Sequence, residues 1–337
     1  MKVLTGAGLL LATLFLPLCF LAKPAPAQNA SQRPESEIVA ALSGGEVIVL
    51  ASKDKIIFVA INQPIEQGAP PPRLAELSGG HVGVLFGASE WRMPADPKPV
   101  RLDRDVPRYG RQDPHAAPYG QAGEADLETM GEAFLERLHS LANQLHHNIN
   151  FPADQALLRM VVIGFGPDNY GPEVWDVDYR LAQQNITSTG ADYWQTRILR
   201  PRFDQLYPPE KHSPHKIVEI GYPGPVKGPT VQQLVEGNDP RVAQLCASNP
   251  EFAKAVALIA KGDAQKADTT ASTDFLRALI PVLFPNQTFF MGTIEEQHGF
   301  DWIVPPEEPV EKAKSNEKKT DKQGDAPPSL RTRPYSP

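Results

Sequence analysis

The chain has 337 residues, a formal net charge of -7 and a pI near 5.7. No segment concentrates lysine and arginine, which argues against nucleic acid as a partner because phosphate binding needs a basic surface. The only cysteines are Cys19 and Cys246. Cys19 lies within residues 1–27, which have the features of a cleaved signal. Cys246 is then left without a partner for a disulfide, so a sizeable apolar core must stabilise the domain.

The first 27 residues have the three parts of a secretory signal: Lys2 near the start, an apolar run over 9–21, and Ala25-Pro26-Ala27 as a cleavage site. The apolar run is shorter than the ~20 residues of a membrane span. We therefore predict an exported protein, periplasmic or secreted, with no stable membrane span once residues 1–27 are removed. An uncleaved anchor is the alternative. Residues 28–42 are predicted to form a polar leader.

Apolar and β-branched runs predict the first strands. Residues 47–51 and 56–61 flank a Lys-Asp turn and are expected to pair as a hairpin, and residues 81–87 are expected to form a third strand. The six prolines of residues 88–123 predict a long surface loop. Residues 124–149 carry apolar side chains at every third or fourth position, which predicts a helix.

The second half of the chain continues with strands and helices. Residues 157–179 predict two strands around a Gly-Pro-Asp-Asn-Tyr-Gly turn, and residues 216–222 predict a further strand. Asn249-Pro250 supplies the start of a helix, and residues 273–283 predict another. A closing hairpin is expected over 288–304. Residues 305–337 hold 13 charged residues and seven prolines, which predicts a disordered tail.

Three of these hairpins resemble the proteasome subunit family of N-terminal-nucleophile hydrolases. EVIVLASKDKIIFVA resembles the opening hairpin with its Lys-Asp turn, VVIGFGPDNYGPEVWDVDY the central hairpin, and FFMGTIEEQHGFDWI the closing hairpin. The resemblance covers a domain over 43–304, interrupted by the proline-rich loop and by residues 191–214. It implies an α+β fold: a four-layer α-β-β-α sandwich of two antiparallel sheets with proline-rich loop insertions. A generic α+β sandwich is the alternative.

The same resemblance implies where catalytic residues belong. The family has a threonine at the start of the first strand, with its own α-amino group as general base, an acidic residue ending the second strand and a lysine starting the third. Counting from Lys53-Asp54, these positions fall on Gly45, on Ile61 and near Arg73. Glycine has no side chain, isoleucine has no charge, and an arginine stays protonated. The predicted catalytic site is therefore degenerate.

One alternative keeps the site active. Self-cleavage after Leu42, with a short slip in register, would expose Ser43 as an N-terminal serine nucleophile, and Arg73 would help to hold the developing negative charge. A strand with one buried face resists such a slip. The simpler interpretation makes residues 43–45 a flexible entry to the strand.

Other polar residues are candidate metal ligands. The spacing of His139, His146 and His147 on one helix lacks the i, i+4 pattern of metal ligands. Asp176 and Asp178 share one strand face that could bind a cation, but strand alternation predicts that this is an outward polar face. We expect no metal and no cofactor. Aromatic and basic side chains are enriched at interfaces, which makes one group a candidate interaction surface: Trp194, Arg197, Arg200, Arg202 and Phe203.

These observations favour an exported, proteasome-like protein without catalysis that acts as a binding or assembly module. A protein or peptide partner and self-association into a homo-oligomer are expected from the resemblance. The first alternative is an active peptidase or amidase that uses Ser43 after self-cleavage. The second is an unrelated secreted binding domain, which would be favoured if the two sheets did not stack face to face.

Overall fold

The computed structural model of the protein describes residues 39–307, except residues 53, 78–79, 93–97, 110–126, 145–154, 167–170, 189–190 and 212. The strands are β1 (Val39–Ser43), β2 (Gly45–Ala51), β3 (Lys55–Asn62), β4 (Arg73–Glu76), β5 (Val82–Arg92), β6 (Val100–Arg101), β7 (Ala156–Gly166), β8 (Gly171–Ser188), β9 (Ala191–Ile198), β10 (Arg202–Tyr207), β11 (Val218–Tyr222), β12 (Phe289–Glu295) and β13 (Gly299–Val304). The helices are α1 (Leu102–Tyr109), α2 (Leu127–Gln144), α3 (Val231–Glu236), α4 (Pro240–Ser248), α5 (Pro250–Ala260) and α6 (Thr269–Leu283), with a short 3-10 turn at Ala264–Lys266.

The strands form two antiparallel sheets. The first sheet has the order β1-β5-β7-β8-β10, with β4 and β6 also paired to β5 and β9 paired to β8. The second sheet has the order β11-β2-β3-β12-β13. The predicted α+β class with two antiparallel sheets is therefore confirmed, and the opening, central and closing hairpins pair as expected.

Buried side chains form three main clusters. The inter-sheet cluster contains residues of both sheets, among them Val47, Val49, Phe58, Val84, Phe86, Val161 and Tyr222. A second cluster joins the second sheet to the last four helices, through Ile48, Leu50, Val59, Leu234, Phe275 and Leu279. A third joins the first sheet to α1 and α2, through Leu85, Met160, Tyr179, Val106, Phe134 and Leu138.

Alternation along β2 explains how one strand serves two clusters. Val47 and Val49 contact the other sheet, whereas Ile48 and Leu50 contact helices. Successive side chains of a strand point to opposite faces, so a strand covered on both faces reads as a continuous apolar run. This is why the opening hairpin was recognisable from its sequence.

Helix α5 begins at the cap predicted from the sequence, and α6 begins earlier than predicted. Asn249 caps α5 by accepting a hydrogen bond from the Glu251 N–H, and Pro250 occupies the first turn, as expected. Helix α6 begins at Thr269, four residues before the predicted start, because the Asp268 side chain accepts a hydrogen bond from the Ala271 N–H.

No helix of the described ranges is long and apolar enough to cross a membrane.

Two predicted boundaries are corrected. The loop assigned to residues 88–123 is wrong for two stretches: β5 continues to Arg92, and residues 100–109 form β6 and α1. The prolines favoured a loop in the sequence prediction. In the structure, Leu102 and Val106 of this helix are fully buried. Residues 39–42, assigned to the polar leader, pair with β5 as most of β1. The remainder of the leader, the signal and the tail from residue 308 lie outside the described residues.

Candidate functional site

The predicted nucleophile position is enclosed by backbone. Gly45 begins β2, where it pairs with Asn62 of β3. A Cβ added to Gly45 would overlap the Ile61 carbonyl oxygen and would lie 3.0 Å from Cε1 of Phe86. At Gly44, an added Cβ would lie 2.5 Å from both the Gln63 carbonyl oxygen and Cγ1 of Ile65. The structure therefore leaves room for glycine alone at both positions.

Ser43 belongs to a different sheet from Gly45. It is the last residue of β1 and pairs with Gly87 of β5, whereas Gly45 begins β2 in the second sheet. Its side chain is fully buried. The hydroxyl donates a hydrogen bond to the Gly87 carbonyl oxygen (3.3 Å) and shares a second with the Ser89 hydroxyl (3.3 Å). The chain thus changes sheets across Gly44, a crossing that sequence reasoning missed.

The positions that the resemblance assigns to the acidic residue and the lysine are Ile61 and Arg73, and both are packed inside the fold. Ile61 is fully buried in the cluster beneath the helices of the second sheet. Arg73 begins β4, and its guanidinium forms a 3.0 Å ion pair with the Glu90 carboxylate, which is itself buried. Arg73 is therefore engaged by a carboxylate within its own sheet.

A buried carboxyl pair lies beside Gly45. Glu46 is 2% exposed, and burial, together with the nearby charge of Glu219, raises its pKa to about 7. Burial also raises the pKa of Glu219, against the hydrogen bonds that it accepts from the backbone N–H groups of Gln232 (3.0 Å) and Val231 (2.8 Å) at the start of α3. The pair therefore holds a proton that two separate glutamates would release.

This pair predicts that stability depends on pH. The folded protein holds the Glu46 proton up to about pH 7, whereas an unfolded chain releases it near pH 4.5. The raised pKa stabilises the fold fully below pH 4.5, and the contribution is lost as the pH rises through 7. We expect Glu46 by itself to lower the free energy of unfolding by roughly 3 kcal/mol across that window. Urea denaturation at half-unit pH steps measures the loss.

Glu46→Gln should remove the Glu46 contribution to that slope, because the amide keeps the shape of the protonated carboxyl and does not titrate. Glu295→Gln is the matched control, since Glu295 is an accessible carboxylate paired with Lys55 (2.8 Å). An unchanged slope in Glu46→Gln would contradict the assignment.

Arg159 connects the two sheets. Its guanidinium donates to Asp178 (2.9 Å) and to the Gly221 carbonyl oxygen of β11 (2.7 Å), and Asp176 lies 3.2 Å away. Asp176 and Asp178 lie on the face of β8 that holds Val174 of the inter-sheet cluster. The expectation that this face is an outward polar one is therefore wrong. Burial raises the pKa of Asp176 to about 6, despite the charge of Arg159.

The predicted interaction surface divides between exposed and packed residues. Arg197 and Arg200 are exposed, and Arg202 pairs with Asp204 at 2.8 Å. Phe203 instead packs against α2, where it meets the backbone of Gly131. Trp194 lies in β9, and its side chain is outside the described part of the structure. The prediction grouped these residues on one surface, but Phe203 is partly buried and packs against the third cluster.

The histidines have other partners. His139 hydrogen-bonds the Ile198 carbonyl oxygen at 2.8 Å, and His215 hydrogen-bonds the Tyr207 hydroxyl at 2.7 Å. His146, His147 and His212 lie outside the described residues. Within the described ranges, no three His, Cys, Asp or Glu residues are grouped to hold a metal ion.

A surface cleft of about 260 Å³ opens where the sheets approach each other at their edges. Its lining residues are Glu76, Leu77, Gly80, His81, Phe300, Asp301 and Trp302. β13 supplies three of these residues, and the end of β4 with the segment leading to β5 supplies the other four. No local sequence pattern predicts this cleft, because it joins residues 76–81 to residues 300–302.

The cleft has a fixed aromatic wall and a fixed imidazole. Trp302 meets Phe300 and Phe290 edge to face, with ring centroids 4.7 and 5.7 Å away, and remains 38% exposed. His81 Nε2 lies 2.7 Å from the Glu173 carboxylate. Burial would raise the pKa of Glu173, but the hydrogen bonds that its carboxylate accepts from His81 and from the Trp175 indole hold it below its usual range.

Comparisons with known proteins add no family to this description. No protein-family model matches the chain, and no curated protein sequence matches it.

Proposed function

We propose that this chain is an exported, non-catalytic member of the proteasome-like sandwich proteins that acts as a binding or assembly module. The proposed partner is a protein or peptide, and it can be a second copy of the same chain. The enclosure of the nucleophile position, where only glycine fits at residues 44 and 45, carries the proposal.

A four-layer α-β-β-α arrangement is part of the proposal. The inter-sheet cluster supports it, because Val47 and Val49 of the second sheet share that cluster with Val84 and Val161 of the first. The opposite faces of the same strands contact separate groups of helices. Two sheets that share one core and are each covered by helices fit this layering.

The absence of a catalytic role is supported by the surroundings of Ser43. A nucleophile must reach a substrate carbonyl and needs a base within hydrogen-bond distance. The Ser43 hydroxyl is fully buried and already donates to Gly87. Cleavage after Leu42 would also remove residues 39–42 from their pairing with β5. The active alternative therefore requires the loss of a native strand.

A hydrolysis assay tests this proposal. The purified chain is incubated with a pool of fluorogenic peptide and amide substrates, beside a Ser43→Ala variant. We expect no turnover above the buffer blank from either protein. Turnover by the native chain that Ser43→Ala abolishes would establish the active alternative. A melting temperature within a few degrees of the native value would show that the variant is folded.

A further inference from the structure

The cleft between β4 and β13 has an aromatic side that is immobilised and open. Phe300 and Trp302 alternate with Asp301 on β13, so they lie on the face that contacts Phe58 and Phe290 of the inter-sheet cluster. Their edge-to-face contacts fix the Trp302 ring, yet 38% of this residue is exposed. A fixed, exposed indole offers the face that attracts a cation most strongly among aromatic side chains.

The opposite wall carries negative charge. Glu76 is exposed and follows Leu74 by two residues, so it shares the face of β4 that turns toward the inter-sheet cluster. No ion pair to Glu76 occurs within the described residues, and neither lysine nor arginine is among the lining residues of the cleft. Asp301 is a second exposed carboxylate among the lining residues, whereas the Glu173 carboxylate is already paired with His81 at 2.7 Å. The arrangement therefore favours a positively charged group.

The size of the cleft limits the ligand. A volume of about 260 Å³ is smaller than the roughly 300–1,000 Å³ typical of small-molecule sites. It suits one long side chain that enters from the surface, with its methylene groups along Trp302 and its charge near Glu76.

We propose that this cleft binds a lysine or arginine side chain of a partner protein or peptide. The inference rests on the binding role proposed above and names the chemistry that the binding partner must present.

The experiment uses the chain labelled with 5-fluorotryptophan and observed by 19F NMR at low salt. The four tryptophan resonances are assigned with single Trp→Phe variants. The probes are acetyl-Gly-Lys-Gly-amide and acetyl-Gly-Arg-Gly-amide, with acetyl-Gly-norleucine-Gly-amide as the uncharged match. We expect the Trp302 resonance to shift and saturate with the cationic peptides and to remain in place with norleucine.

Glu76→Gln should weaken the cationic probe at least fivefold, whereas Glu66→Gln, at an exposed carboxylate outside the cleft, should leave binding unchanged. The absence of a Trp302 shift with either cationic probe would overturn the inference, and so would an equal response to norleucine.

Mass spectra of the same samples separate this inference from the proposed function. A cleaved probe would refute the non-catalytic role whether or not the Trp302 resonance moves. An intact probe that does not shift Trp302 would refute the cationic cleft alone.

Discussion

Arg159→Met is expected to lower the free energy of unfolding by about 3–5 kcal/mol, because removing one partner of a buried ion pair leaves the other charge without compensation. Asp178 is 3% exposed, so its charge would be left buried. Arg159 also donates a hydrogen bond to the Gly221 carbonyl oxygen of the second sheet, which the variant would lose. The loss should be larger at pH 8 than at pH 5, because burial raises the pKa of Asp176 to about 6, and protonation of Asp176 below that pH removes its repulsion with Asp178. Urea denaturation at both pH values measures the difference.

Arg202→Met is the matched control for this experiment. Arg202 pairs with Asp204 of the same strand, β10, but its side chain is 62% exposed, and exposed pairs contribute about 0–1 kcal/mol. A double variant, Arg159→Met with Asp178→Asn, should recover part of the lost stability because it removes the orphaned charge. Equal losses in Arg159→Met and Arg202→Met would contradict a central role for Arg159.

Gly45→Thr is expected to destabilise the fold without creating activity. The substitution places the threonine nucleophile of the proteasome subunit family at the position that the resemblance predicts for it. The added Cβ overlaps the Ile61 carbonyl oxygen and approaches the Phe86 ring. Overpacking in a filled core costs roughly 1–3 kcal/mol or more, and a clash with backbone offers little room for relaxation. We expect a loss of about 3 kcal/mol in urea denaturation.

Gly224→Thr provides the comparison, since no atom lies within 4 Å of a Cβ at that position. Its stability should stay within about 0.5 kcal/mol of the native chain. A stable Gly45→Thr protein would mean that the nucleophile position has space, and hydrolysis by that variant would restore the catalytic interpretation.

The hairpins were predictable because their apolar runs are local signals. In the opening hairpin, β2 and β3 are apolar on both faces and joined by a short polar turn, so pairing follows from the sequence itself. The helix over 127–144 was predictable for the same reason, since Phe134, Leu138 and Leu141 recur along one buried face.

The site was less predictable because its determinants are not local. The move of Ser43 into the first sheet depends on its pairing with Gly87, 44 residues away. Likewise, α1 was concealed by Pro107 and by charged residues, although Leu102 and Val106 fill the third cluster. Proline and charge statistics describe the exposed side of such a helix and not the contacts that stabilise it.

The raised pKa of Glu46 has the same origin. A glutamate beside Gly45 carries no sequence signal of burial, and its partner Glu219 comes from β11, an edge strand that pairs with β2. Only the alignment of these two strands, with α3 beginning over Glu219, brings the carboxyl groups together.

We expect no exposed nucleophile at the start of β2, and N-terminal sequencing with intact mass of the protein purified from its native source tests this most directly. We predict a terminus near Gln28, with residues 39–43 retained in their pairing with β5. A terminus at Ser43 would contradict the account, because it would show that the chain is cut where an N-terminal serine nucleophile would be generated.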